Sequence, residues 1–257
     1  MNKLPTWSKK IFIILFWLLL WQLGANIIDN HILLVSPVDT LRALSTLVIS
    51  TDFWGSIWFS FARISLGFLI AFFAGLLTGT LAYWKPIVDE FLAPPIHFMK
   101  SIPVASFVIL ALIWTGSENL SVFISFIVVY PMIHVNTLAG LQSTDQKLLE
   151  MANVFRVPVW RQAMFIYRVS LYPYLASAMK TALGMGFKSG IAAEVIGVPE
   201  GSIGEGLYLS KIYLSTAELF AWTLVIICVS VLFEHAFLFL LRMAAGKGVV
   251  TCDEDGK

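Results

Sequence analysis

The run IFIILFWLLLWQLGANII, from Ile11 to Ile28, carries no charged side chain. It is long enough to cross a bilayer, which takes about 20 residues. Comparable apolar blocks recur at about 57–84, 91–114, 120–141, 173–196 and 219–241, giving six candidate spans. Lipid offers no water to backbone N–H and C=O groups, so only helices and closed barrels cross it. Blocks of this length are helical, because a barrel strand needs only about 10 residues. The expected class is therefore an all-α, polytopic membrane protein. Composition agrees: 58% of the 257 residues are hydrophobic and 13% are charged, where soluble domains carry about 25% charged residues.

The same pattern sets the expected domains. Residues 1–10 form an N-terminal segment, 11–243 a single transmembrane domain, and 244–257 a polar tail. Pro94, Pro95 and Pro103 interrupt the third block. The segment Pro37–Ser50 is too short and polar to span, and Leu41, Leu44 and Leu47/Val48 predict a helix lying at the surface. The net charge of +1 provides no basic field for nucleic acid. Cys228 lies in an apolar block and Cys252 in the tail, which suits neither a disulfide framework nor a metal site.

Lysine and arginine set the expected orientation. With the N-terminus inside, Lys3, Lys9, Lys10, Lys85, Lys147, Arg156, Arg161, Arg168, Arg242, Lys247 and Lys257 are cytoplasmic. Arg42 and Lys211 are then external, beside Asp29, Asp39, Asp52, Glu118, Glu200 and Glu205. Both termini are expected in the cytoplasm. A cleaved signal peptide starting at Lys9 is the competing reading, and Leu23-Gly24-Ala25 is a poor cleavage site for it.

The stretch LLEMANVFRVPVWRQAMFIYRVSLYP, Leu148–Pro173, is the longest basic, amphipathic interruption between spans. Ser143-Thr144-Asp145-Gln146 has capping-box spacing and predicts a helix start. Leu148, Met151/Ala152 and Phe155 then recur at helical spacing beside Lys147 and Glu150. Pro158 suits the first turn of a second helix, whose stripe is Trp160, Ala163/Met164 and Tyr167. Two short amphipathic helices at an angle form either a knob for another protein or a pair lying on lipid headgroups. Periodicity leaves both readings open.

The segment resembles the EAA loop of binding-protein-dependent ABC importer permeases. Glu150-Met151-Ala152 stands for its first element and Leu171-Tyr172-Pro173 for its last, while Arg156 occupies the usual glycine position. The resemblance extends to Ser36-Pro37, to the run Ser60-Phe61-Ala62-Arg63-Ile64-Ser65-Leu66-Gly67-Phe68, and to Lys100-Ser101-Ile102-Pro103 leading to Trp114-Thr115-Gly116. It closes on Ala192-Ala193-Glu194-Val195-Ile196-Gly197. Together these are similar to the nitrate/sulfonate/taurine branch, which includes carriers of vitamin precursors.

That resemblance implies a type I ABC importer permease fold in a bacterial inner membrane. It further implies an EAA coupling loop (143–172) that meets an ATPase through Leu148, Glu150, Met151, Ala152, Phe155, Arg156, Pro158 and Trp160. Implied partners are a second permease copy, as a homodimer, two ABC ATPase subunits, an extracytoplasmic solute-binding protein and membrane lipid. No cofactor is expected on this chain, with ATP and Mg held by the ATPase. The sequence is consistent with that division: Gly246-Lys247 has Leu241 where a phosphate-loop glycine would stand.

No paired carboxylates or Ser/His/Asp motif points to an enzyme, and His97, His134 and His235 are not clustered at ligand spacing. Gly75-x-x-x-Gly79 and Gly186-x-x-x-Gly190 permit close helix approach, for packing or for a dimer or gate contact. Lys188 lies about 22 Å along the fifth span counted from Pro173, and such a depth calls for a cavity or a partner. It either pairs with a neighbouring span or lines a path for an anion, with Glu194 as a second path candidate. Two alternatives stand beside the importer reading. One is a secondary transporter or channel working without ATP; the other is the coupling subunit of a vitamin importer.

Overall fold

The computed structural model describes residues 6–28, 30 and 32–245. Lys3, Asp29, Lys247 and Lys257, on which part of the orientation argument rests, lie outside the described residues, as do Cys252 and the side chains of Lys9, Lys10 and Arg242. The described chain folds as α1 (Thr6–Ile28), α2 (Pro37–Ile49), α3 (Thr51–Trp84), α4 (Pro86–Ser101), α5 (Val104–Gln142), α6 (Gln146–Val154) and α7 (Val159–Gln162). A π turn (Ala163–Tyr167) then leads into α8 (Arg168–Gly197), followed by α9 (Ile203–Ile212) and α10 (Thr216–Ala245).

Six passes result, though not as six simple helices. α5 turns back on itself at Gly116, whose φ of 69° and ψ of 172° belong to a region that side chains rarely adopt. Its limbs, 104–115 and 117–142, therefore lie antiparallel. Val108 and Ala111 of one bury against Leu120 and Ile124 of the other, and Phe107 stacks on Phe123 at 6.2 Å. The first limb completes the pass that α4 begins. The expected third span is thus two helices, and its break falls at Ile102–Pro103. Pro94 and Pro95 stay inside α4, whereas Pro103 disfavours the helical region at Ile102, which stands at φ −68° and ψ 128°.

The core joins α3, the second limb of α5, and α8. Phe68, Ile64, Val129, Ile133, Met179, Leu183 and Phe187 are buried there. Close backbone approach makes this possible. A side chain at Gly75 would meet Ile133 Cβ at 2.9 Å, and one at Gly186 would meet Val129 Cγ2 at 2.7 Å. Both small-residue motifs therefore pack helices within this chain. α10 closes the outside of the core with Phe233 and Phe237, the latter 5.0 Å from Phe68.

The remaining helices are peripheral. α2 forms where the sequence places it, capped by Ser36 Oγ, which accepts from Asp39 N at 3.2 Å. Leu44 and Leu47 pack on the core while Leu41 and Val48 stay exposed. α1 touches the rest chiefly toward its C-terminal end, through Trp21, whose Nε1 donates to Val35 O at 3.0 Å. Its Phe12, Trp17 and Leu19 are exposed, as lipid-facing residues should be.

Candidate functional site

Two features stand out against the oily surface: the loop between α5 and α8, and one face of α8. In the loop, Asp145 rather than Ser143 caps α6, accepting from Lys147 N at 2.8 Å. Ser143 ends α5 instead, its hydroxyl donating to Gly140 O at 2.8 Å. The expected capping box is therefore replaced by a cap two residues later. α6 closes when Val157 N bonds Ala152 O at 2.8 Å and Arg156 N bonds Asn153 O at 3.0 Å. This pair of bonds places Arg156 in the left-handed conformation, at φ 50°.

Gln162 then ties the two helices together, its Nε2 donating to Val157 O at 2.8 Å. Ala152 is buried in this joint at 2% exposure, so its methyl is not presented to a partner. Phe155 (74% exposed), Trp160 (60%), Leu148 and Met151 do lie open, with Glu150, Arg156 and Pro158 beside them. Val154, Val159 and Phe165, which periodicity did not single out, extend the same apolar surface. Arg161 covers the Trp160 ring, 5.2 Å from its centroid. The knob is thus pinned internally, and its outer surface carries both apolar and charged side chains.

The π turn connects it to α8 and packs on the end of α3. Tyr167 packs against Tyr83 at 5.7 Å and Trp84 at 6.2 Å, at the end of α3. Burial, with help from Tyr83, pushes the Tyr167 phenol up to about 12, so it stays neutral in this contact.

α8 spans 30 residues, or about 45 Å, yet it is not among the helices that combine span length with high hydropathy: α1, α3, α5 and α10. The reason is one exposed arc. Ser177, Lys180, Thr181, Met185, Lys188 and Ala192 are open along it, with Gly184 half-buried between them. At 100° per residue these positions cover a single face. Among the described residues the ion pairs are Arg42–Asp39 and Arg63–Glu118, so neither Lys188 nor Lys180 has a carboxylate within ion-pair distance. Lys180, which falls within the same expected span but is not among the path candidates read from the sequence, is the lysine nearer mid-helix. Its signal was available in the i, i+3, i+4, i+7, i+11 spacing of Ser177, Lys180, Thr181, Gly184 and Lys188.

Glu194 does not share that face. It is fully buried (0% exposed), and its Oε2 accepts from Ser60 Oγ of α3 at 2.5 Å. Ser60 Oγ in turn accepts from Ile203 N at 2.9 Å, joining α3, α8 and the start of α9. In this structure Glu194 therefore faces neighbouring helices rather than the α8 arc. His134 is likewise structural, its Nδ1 2.9 Å from Thr78 Oγ1.

The chain's relatives fit this architecture. Residues 67–245 match the family described as binding-protein-dependent transport system inner membrane component. A putative aliphatic sulfonates transport permease of Bacillus subtilis is 24% identical over 92% of this chain and 86% of its own length. A bicarbonate transport system permease of Synechocystis is 26% identical over 93% and 91% respectively. A taurine transport system permease of Escherichia coli is 22% identical over 88% and 82%. With a multi-pass helical membrane fold and a family match over most of its length, the chain belongs to the binding-protein-dependent transport inner membrane components and is a permease subunit rather than an enzyme.

Proposed function

We propose that two copies of this chain form the translocation path of an ATP-driven importer, with their α8 faces toward each other. The observation that carries this is the exposed lysine-bearing arc of α8. An unpaired lysine within the hydrocarbon layer is costly, so such residues face water or protein rather than lipid. The other exposed spanning surfaces, such as Leu77 and Phe73 of α3 or Ile227 and Leu232 of α10, are large and apolar. The α8 arc, with two exposed lysines on one helix face, suits an aqueous space between copies.

The loop at 143–172 then docks on an ATPase subunit in the cytoplasm, one per copy, which binds ATP and Mg. A solute-binding protein delivers cargo at the opposite face. ATP closes the ATPases, the knobs approach, and α8 moves with them because the π turn and Tyr167 join it to the knob. The solute is a small polar molecule. Relatives named for sulfonates, taurine and bicarbonate support a small anion.

Native mass measurement of the detergent-solubilised complex tests the assembly: two permeases of 28.6 kDa with two ATPases are expected. Solute transport by the permease alone in liposomes would overturn it.

A further inference from the structure

The glycines of α8 divide into two kinds. A side chain at Gly186 would collide with Val129, and one at Gly190 would meet Ile64 Cγ1 at 2.7 Å. Packing inside the protomer accounts for both. A side chain at Gly184 would meet nothing within 4 Å. Glycine within a helix is about 1 kcal/mol less favourable than alanine, and no neighbour among the described residues requires it here. Gly184 sits four residues from Lys180 and four from Lys188, so it lies between them on one face. The two ammonium-bearing positions, eight residues or about 12 Å apart along the axis, thus flank a bare patch of backbone.

We propose that Lys180, Gly184 and Lys188 form a two-tier anion site, in which a small organic or inorganic anion passes over the glycine from one ammonium to the other. This rests on the reading that the α8 face lines the path. Three features favour an anion over a neutral or cationic solute. Lys180 and Lys188 lie about 10 and 22 Å along the expected fifth span counted from Pro173, and neither has a carboxylate partner among the described residues. Ser177 and Thr181 add hydroxyl donors on the same arc. Glu194, the nearest acidic residue along the helix, is turned into the core against Ser60. Two separated charges hold an anion more loosely than a converging pair, as passage requires.

The test uses Gly184→Cys in a Cys228→Ser/Cys252→Ser background, within the assembled complex in proteoliposomes. Methanethiosulfonate ethylsulfonate, itself a small sulfonate anion, and the cationic ethyltrimethylammonium analogue are applied with and without ATP and Mg. We expect the anionic reagent to react about tenfold or more faster than the cationic one, normalised to free 2-mercaptoethanol. Lys180→Gln with Lys188→Gln should return the ratio to near one. Should Gly184→Cys fail to assemble, Thr181→Cys reads the same face. Equal rates for the two reagents would overturn the anion site while leaving an aqueous path. No reaction with either reagent in any nucleotide state would overturn the path reading as well.

Discussion

At Arg156 the backbone stands at φ 50°, where a residue with a Cβ is strained by about 1–2 kcal/mol. The turn is of the kind that glycine usually makes, and Pro158 does not remove the need for it. Arg156→Gly relieves the strain but adds freedom to the unfolded chain worth about 0.4–1 kcal/mol. The expected outcome is unchanged ATPase coupling with thermal stability equal or slightly raised. Arg156→Val should lower stability, because a β-branched side chain tolerates this region worst. Loss of coupling in an assembled Arg156→Gly complex would instead make the guanidinium a partner contact. A second residue-scale prediction concerns Ser60. Its hydroxyl is the partner seen on Glu194 Oε2, and Glu194 Oε1 has none among the described residues. Ser60→Ala strands a buried carboxyl and should cost about 1.5–3 kcal/mol, read as a lowered melting temperature of the solubilised complex. Ser60→Thr keeps the hydroxyl and should recover part of the loss.

At the scale of elements, the loop between α5 and α8 separates two effects that a helical wheel merges. Phe155 and Trp160 are on its open surface, and Ala152 is inside its joint. Trp160→Ala should weaken ATPase co-purification by on the order of tenfold or more, as exposed aromatic anchors do, without altering permease stability. Ala152→Asp should instead destabilise the knob itself by about 1–3 kcal/mol, since it buries an unpaired carboxyl. Protease sensitivity of the loop, measured on the permease before ATPase addition, distinguishes the two. If both variants bind the ATPase normally, the helix pair lies on lipid headgroups instead. The π turn belongs to this scale too. No propensity marks Ala163–Tyr167 as wide; the turn runs from Gln162, which donates to Val157 O, to Tyr167, which packs against Tyr83 of α3.

For the whole molecule, the consequence to test is orientation. The knob's Lys147, Arg156 and Arg161 are exposed, and the excess of such residues on one side predicts that this side is cytoplasmic. Single cysteines at Lys147 and Lys211, in a cysteine-free background, should therefore react with an impermeant maleimide from opposite faces of the membrane. Intact cells should label only the Lys211 position. Labelling of Lys147 from outside would invert the molecule, and with it the proposed sites of the ATPase and the binding protein.

Much of this architecture was legible along the chain because lipid is an unforgiving solvent. Uncharged runs had to become helices, the loop's Leu148, Phe155 and Trp160 had to lie apart from them, and Ser36-Pro37 had to open a helix. Those are local consequences of hydropathy, capping and proline geometry. Three matters were decided only by tertiary contact. Pro94 and Pro95 stayed in a helix while Gly116 reversed the chain, because Val108 and Ala111 found Leu120 and Ile124. Glu194 and Lys188, six residues apart on one helix, have different surroundings because Ser60 lies against Glu194, while Lys188 has no carboxylate at ion-pair distance among the described residues. Ala152 turned inward because Val157 N and Gln162 folded the loop over it. A sequence states which side chains a helix carries; which of its faces is covered depends on neighbours distant in the chain.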